Sequence, residues 1–176
     1  MTRSELEHLI RAAGAIAKDR EIVVIGSQAV LGEYPDAPPA LLVSMEADVF
    51  PLHHPERADK IEGAIGEGSR FHEEFGYYAQ GVGPSTATLP RGWRKRLVRV
   101  NNENTGGITG LCLDVHDLAI SKYVAGREKD LVFTRVLVRE QLIDKKKLLQ
   151  RFAMTNVAPA LRKLVSGRIE RDFHLI

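Results

Sequence analysis

The chain has 176 residues, of which 44% are hydrophobic and 27% charged, and its formal net charge is +2. These values are typical of a folded globular protein and give no global positive excess that would by itself indicate nucleic-acid binding. The single cysteine, Cys112, excludes a disulfide framework within the chain, and its apolar neighbours predict a buried thiol. No apolar run approaches the roughly 18 residues of a membrane span. The N-terminal residues lack the pattern of a secretory signal, so we expect a cytoplasmic protein without membrane contact.

The first 50 residues predict a helix, a strand, a turn and a second strand. Apolar residues recur at helical spacing after Ser4, which is a suitable N-cap. An apolar run then leads into Gly26, where the backbone can turn sharply. The predicted elements are a helix over 4–18, a strand over 21–25, a short helix from 28 to 32 and a strand over 41–50.

Two carboxylates on the second predicted strand, Glu46 and Asp48, are two positions apart. Residues at this spacing point to the same face of a strand. Adjacent carboxylates repel unless a positive group lies between them, and a hard divalent cation such as Mg²⁺ suits this role. The amides and hydroxyl of Ser27, at the start of the next helix, are suited to holding a phosphate. The alternative is an exposed edge strand that carries two solvated acidic residues.

The middle of the chain predicts further strands and a basic segment. Turn residues between 101 and 107 separate two apolar runs and are typical of a hairpin. Antiparallel strands that follow a strand–helix unit predict an α/β (α+β) fold, with a small mixed sheet flanked by helices. The predicted elements are helices over 56–67 and 69–75, a strand or the lead-in to one over 75–79, and strands over 97–100 and 108–113.

The densest positive cluster lies between the third and fourth predicted strands and surrounds the single tryptophan, Trp93. Basic residues beside an aromatic side chain suit a nucleic-acid surface, whereas a solvated loop is the alternative. The candidate nucleic-acid contacts are Arg91, Arg94, Lys95 and Arg96.

The last third of the chain predicts helices over 117–125, 131–139, 144–152 and 157–167. We therefore expect an α/β core over residues 1–115 and a helical C-terminal subdomain over residues 116–176. The first of these helices carries Lys122, and Arg127 and Asp130 follow within two turns. A lysine supplies a mobile positive charge for a triphosphate, although ordinary surface charges on a helix are an alternative.

These motifs, in this order, resemble those of the nucleotidyltransferase superfamily, which has the polymerase beta-like fold. The Ser-x-Glu-x-Asp form is similar to the branch that contains abortive-infection, type IV toxin–antitoxin toxins and their uncharacterised relatives. The superfamily usually has Asp where this chain has Glu46, and no residue stands out as a third carboxylate. The matching positions are Gly26, Ser27, Ser44, Glu46, Asp48, Lys122, Arg127 and Asp130.

The resemblance implies Mg²⁺-dependent transfer of a nucleoside monophosphate from a nucleoside triphosphate to a hydroxyl group of RNA, such as tRNA, or of a protein. Glu46 and Asp48 would hold the metal, and Lys122 would bind the triphosphate with support from Arg127 and Asp130. The other nucleotide-binding positions that the resemblance implies are Gly26, Ser27 and Ser44. The role of a toxin with a cognate antitoxin is implied by the branch. Two alternatives stay open: a non-catalytic member of the fold that binds a nucleotide or a partner, and an RNA- or DNA-binding module built on the basic cluster.

Overall fold

The structure is a computed structural model that describes residues 1–174 and divides into two compact units. The core unit contains Met1–Thr86 and Arg96–Asp114, and the helical unit contains Ala87–Lys95 and the chain from Val115 onward. The domain limits 1–115 and 116–176 stay a prediction. The last two residues of the second predicted domain lie outside the described residues.

The core unit contains a five-stranded mixed sheet with the strand order β3-β2-β1-β5-β4. β1 pairs antiparallel with β2 and parallel with β5, β2 pairs parallel with β3, and β4 pairs antiparallel with β5. The predicted α/β class with a mixed sheet is therefore confirmed, as is the hairpin that contains residues 101–107. The strands are β1 (Glu21–Val24), β2 (Glu46–Pro51), β3 (Tyr78–Gly81), β4 (Val98–Val100) and β5 (Thr109–Cys112).

The core unit has four α-helices. The predicted N-cap of the first helix, Ser4, is wrong, because the N-cap is Thr2, which forms a capping box. The Thr2 side chain accepts the Glu5 N–H, and the Glu5 carboxylate accepts the Thr2 N–H at 2.6 Å. The helices are α1 (Arg3–Ala17), α2 (Val30–Glu33), α3 (Ala58–Ile65) and α4 (Arg70–Phe75).

Two predicted strands begin too early in the sequence. The strand predicted from residue 41 starts at Glu46, because Pro38 and Pro39 open a 3-10 turn and the apolar Val43 is 79% exposed. The segment over 75–79, predicted as a strand or the lead-in to one, is a strand only from Tyr78, because residues 70–75 are helical and Gly76, at φ 76°, ends that helix in the left-handed conformation.

The core of this unit forms where β1 is covered on both faces. Ile22, Val23 and Val24 are all fully buried, which explains why β1 reads as a continuous apolar run rather than an alternating one. The apolar stripe of α1 packs on the sheet, and the predicted burial of Cys112 is confirmed. Burial raises the pKa of the Cys112 thiol to about 12, so it stays protonated.

The helical unit contains α5 (Val115–Ala125), α6 (Glu128–Arg139), α7 (Lys145–Ala153) and α8 (Pro159–His174). The predicted stop of the last helix at Gly167 is wrong, because α8 continues and buries Ile169 and Asp172. The Tyr123 hydroxyl donates to the Asp172 carboxylate at 2.9 Å, which ties α8 to α5. Among residues 1–174, no helix is both long and apolar enough to cross a membrane.

Candidate functional site

Strand β2 presents both predicted metal ligands on one face. Ala47 and Val49 are buried, whereas Glu46 and Asp48 are partly exposed, as the alternation of a strand requires. The Ser44 hydroxyl accepts the Glu46 N–H and donates to the Glu46 carbonyl oxygen, both at 3.2 Å. Ser44 therefore fixes the backbone where the strand begins, and its nucleotide-binding role stays a prediction.

The turn after β1 lies directly against one of these carboxylates. The Ile25 N–H donates to the Asp48 carbonyl oxygen at 3.0 Å, and a Cβ on Gly26 would lie 2.0 Å from Asp48 Oδ2. The expectation that Gly26 serves a sharp turn is wrong, because its φ of −83° and ψ of −172° are open to any residue. Glycine is needed here because Asp48 leaves no room for a side chain.

The helix predicted after this turn is shorter than expected. A 3-10 turn over Ser27–Ala29 leads into the four-residue α2. So short a helix has little macrodipole to offer an anion. Any contribution of Ser27 to phosphate binding would come from its hydroxyl and its backbone amide.

Strand β3 places two polar side chains beside the carboxylates. In the parallel register, Tyr78 is the partner of Glu46 and Gln80 is the partner of Asp48. The Tyr78 hydroxyl donates to Glu46 Oε2 at 3.1 Å. Burial, followed by the charge of Glu46, raises the pKa of Tyr78 to about 12, so the hydroxyl remains a donor at neutral pH. Sequence reasoning missed Tyr78, because the register of two parallel strands leaves no local sequence signal.

A small acidic cavity lies beside Glu46 and Tyr78. It has a volume of about 90 Å³, which is well below the roughly 300 Å³ of the smallest typical ligand pockets. The size suits a hydrated cation better than a nucleotide. Its lining residues are Glu46, Glu62, Glu67, Tyr78, Ala79 and Gln80.

The face shared by Glu46 and Asp48 carries two carboxylates and one amide, that of Gln80. Within residues 1–174, no group of three or more His, Cys, Asp or Glu side chains is arranged to hold a metal. Mg²⁺ is commonly bound through one or two carboxylates together with water and substrate phosphates. The donor chemistry of this face therefore fits Mg²⁺ bound with a nucleotide.

The three predicted residues of the helical unit form one charge cluster. The Nζ atom of Lys122, on α5, lies 3.2 Å from Asp130 Oδ1. Arg127 Nε donates to Asp130 Oδ2 at 2.6 Å. The Asp130 side chain is fully buried. Burial acts to raise its pKa, but the Arg127 hydrogen bond and the Lys122 charge outweigh burial and hold the pKa of Asp130 below its usual range. Asp130 therefore anchors both cations.

The basic segment is divided between the two units. Arg91, Arg94 and Lys95 are exposed in the helical unit, whereas Arg96 belongs to the core unit. The Arg94 guanidinium lies 5.3 Å from the centre of the Trp93 ring, in cation–π range. The predicted association of positive charge with the tryptophan is therefore present in the helical unit.

A mixed sheet whose first strand is followed by Gly-Ser, with Gly26 against Asp48, is consistent with a nucleotidyltransferase-like fold. The family described as nucleotidyltransferase of unknown function (DUF6036) matches residues 4–164, and the chain belongs to this family. The predicted superfamily is thus confirmed. No curated protein and no solved structure gives a significant match to the chain.

Proposed function

We propose that the protein is a Mg²⁺-dependent nucleotidyltransferase that moves a nucleoside monophosphate from a nucleoside triphosphate to a hydroxyl group. The acceptor is an RNA, with tRNA as the leading candidate, or a protein. The observation that carries this proposal is the pair Glu46 and Asp48 on one face of β2, with Gly26 packed against Asp48. Membership of a nucleotidyltransferase family supports the general activity.

In this proposal Glu46 and Asp48 hold the metal. Burial contributes most to the raised pKa of the Tyr78 hydroxyl, and the negative charges of Glu46, Glu67 and Asp48 raise it further. A divalent cation offsets that repulsion and, when bound, stabilises the charge that develops on the phosphates. The hydrogen bond from Tyr78 restricts the orientation of the longer Glu46 side chain.

The other residues that the sequence resemblance assigns bind and orient the substrate in this proposal. Ser27 contacts the terminal phosphates through its hydroxyl and amide, and Gly26 contributes its backbone to the same turn. On the sequence resemblance, Lys122 is a phosphate ligand, and within the helical unit its ammonium pairs with Asp130, which also pairs with Arg127. The acceptor oxygen attacks the α-phosphorus, the bond to the bridging oxygen breaks, and pyrophosphate leaves. The acceptor proton passes to a site carboxylate or to solvent.

The toxin role, a cognate antitoxin and a cytoplasmic location are finer proposals that rest on the sequence resemblance. A second candidate function is nucleotide or partner binding without turnover. Gln80 favours this candidate, because it places an amide beside Asp48 where another carboxylate would strengthen metal binding.

The test is incubation of the purified protein with each α-labelled nucleoside triphosphate, Mg²⁺ and total tRNA, beside an Asp48→Asn variant. Label on RNA or on the protein itself, lost in the variant, is the expected result and identifies the nucleotide. A Mg²⁺-dependent thermal shift with nucleotide, but without labelled product, would instead support binding without turnover. If the experiment gives no labelled product and no thermal shift, both candidate functions are rejected.

A further inference from the structure

We propose that a cleft in the helical unit binds one nucleotide of a single-stranded nucleic acid, with the neighbouring phosphates on Arg94 and Lys95. The cleft has a volume of about 370 Å³, which is within the range of pockets that enclose small ligands. It lies between the segment before Arg94 and the end of α7. Its lining residues are Leu89, Arg91, Ala153, Met154, Thr155 and Asn156.

The walls of this cleft are held in place by hydrogen bonds to backbone carbonyl oxygens. The Arg91 N–H donates to the Met154 carbonyl oxygen at 3.0 Å, which joins the two walls. Arg162 on α8 donates to the Thr155 carbonyl oxygen at 2.5 Å and lies 5.1 Å from the centre of the Phe152 ring. A cleft fixed in this way loses little conformational entropy when a ligand binds.

The two chain segments that line the cleft are rich in basic residues. The whole chain has 25 basic and 23 acidic residues, so a random stretch would be close to neutral. In contrast, residues 87–95 and residues 145–169, the stretches that contain the lining residues, have no Asp or Glu, although Lys145 pairs with Glu170 and Arg151 with Asp117. A surface of this composition attracts the phosphate backbone of a nucleic acid.

The lining also suits a nucleobase. Leu89 and the 39% exposed Met154 offer apolar and polarisable contacts to the face of a base. The exposed Asn156 amide can donate to and accept from a base edge. A base is accessible to such a cleft only when it is unpaired and unstacked, which favours a single strand over a duplex.

The role of this strand as the acceptor rests on the proposed nucleotidyl transfer, whereas the binding itself does not. Binding is measured by fluorescence anisotropy with a labelled single-stranded RNA of about 12 nucleotides, the DNA of the same sequence and the RNA duplex. The test variant combines Arg94→Glu with Lys95→Glu. The matched control combines Lys60→Glu with Arg70→Glu, because these exposed core-unit residues give the same change in net charge.

We expect the wild type and the control to bind single-stranded RNA or DNA more tightly than duplex, and the preferred strand identifies the ligand. The Arg94/Lys95 variant should bind at least tenfold more weakly. Its plot of log affinity against log salt should be less steep by about 1.4, because each lost phosphate contact removes about 0.7. Thermal melts establish that both double variants are folded.

A second variant, Asn156→Leu, tests the cleft without changing the net charge. We expect severalfold weaker binding, an unchanged salt slope and an altered preference among homopolymers of the four bases. No binding by the wild type, equal binding by the two double variants, or unaltered binding by Asn156→Leu would each overturn the proposal. Two results together would separate the two proposals. Binding of the strand by Asp48→Asn would support the proposed nucleic-acid cleft, and absence of label transfer by the wild type would reject the proposed enzyme activity.

Discussion

The Asp48 carboxylate occupies the space that a side chain at residue 26 would need. A Cβ added to Gly26 would lie 2.0 Å from Asp48 Oδ2 and 2.8 Å from its Cγ, whereas real Cβ atoms essentially never approach closer than 3.0 Å. The turn after β1 and the second carboxylate of β2 are therefore one structural unit. A substitution at Gly26 or at Asp48 should therefore alter the conformation of the other residue.

Gly26→Ala should displace the Asp48 carboxylate. We expect a loss of roughly 1–3 kcal/mol in the free energy of unfolding, which is typical of overpacking, and weaker binding of Mn²⁺ used as a spectroscopic substitute for Mg²⁺. Thermal unfolding and titration followed by electron paramagnetic resonance measure the two effects.

The control for this substitution is Gly63→Ala. Gly63 lies within α3, and a Cβ there would meet nothing within 4 Å. The same chemical change should stabilise the protein by about 0.5–1 kcal/mol, because alanine is the better helix former, and should leave Mn²⁺ binding intact. Equal behaviour of the two alanine variants would show that contact with Asp48 does not set the requirement for glycine.

Tyr78→Phe should weaken metal binding although the hydroxyl is not itself a proposed ligand. The substitution removes the donor that orients Glu46 while keeping the ring. Loss of a hydrogen bond to a ligating carboxylate typically lowers metal affinity by about tenfold or more. The Mn²⁺ titration is again the measurement.

A double-mutant cycle with Glu46→Gln separates this effect from a general structural one. If Tyr78 acts through Glu46, the double variant should lose little more metal affinity than Glu46→Gln alone. Additive losses in affinity would mean that Tyr78 acts independently of that carboxylate.

Asp130→Asn should destabilise the protein at neutral pH and change its response to acid. Because the folded-state pKa of Asp130 is lowered, its ionised form stabilises the fold above the ordinary carboxyl pKa, and this stabilisation is lost as the pH falls through the folded-state pKa. Removing the buried partner of Lys122 should cost about 3 kcal/mol at pH 7.

Urea unfolding between pH 7 and pH 2 measures this effect. The wild type and Asp130→Asn should differ most at pH 7 and converge in strong acid. Asp36→Asn is the control, because it makes the same change in an exposed loop and should shift stability by less than about 0.5 kcal/mol. A constant difference across the pH range would mean that ionisation of Asp130 is not the source of the stability.

Gln28→Met should stabilise the protein. Gln28 is fully buried, and neither its amide oxygen nor its amide nitrogen has a hydrogen-bond partner in the structure. An unsatisfied buried polar group costs about 1–3 kcal/mol, and a flexible apolar side chain of similar size removes that cost. The melting temperature should rise by about 2–4 °C per kcal/mol. A lower melting temperature would indicate that the Gln28 amide has a partner such as a buried water.

Much of the fold could be predicted because its signals are local. The apolar run of β1, the turn residues before β5 and the helical periodicity of α1 each depend on neighbours within a few positions. The same-face placement of Glu46 and Asp48 needs only the period of a strand. The strand before Glu46 was predicted too long because the apolar Val43 is exposed. The last helix was predicted too short because contacts with residues distant in sequence stabilise the C-terminal half of α8.

By itself, the sequence determined the α/β class, the order of the motifs and the two carboxylates of β2, because each depends on short-range patterns. Tertiary structure alone decided that Tyr78 meets Glu46 and that Gly26 faces Asp48, because these pairs depend on strand register over more than 20 residues of chain. It also formed the cleft beside Arg91, whose walls come from segments about 60 residues apart. Such contacts follow from how the helices and strands pack, and a local sequence pattern does not predict them.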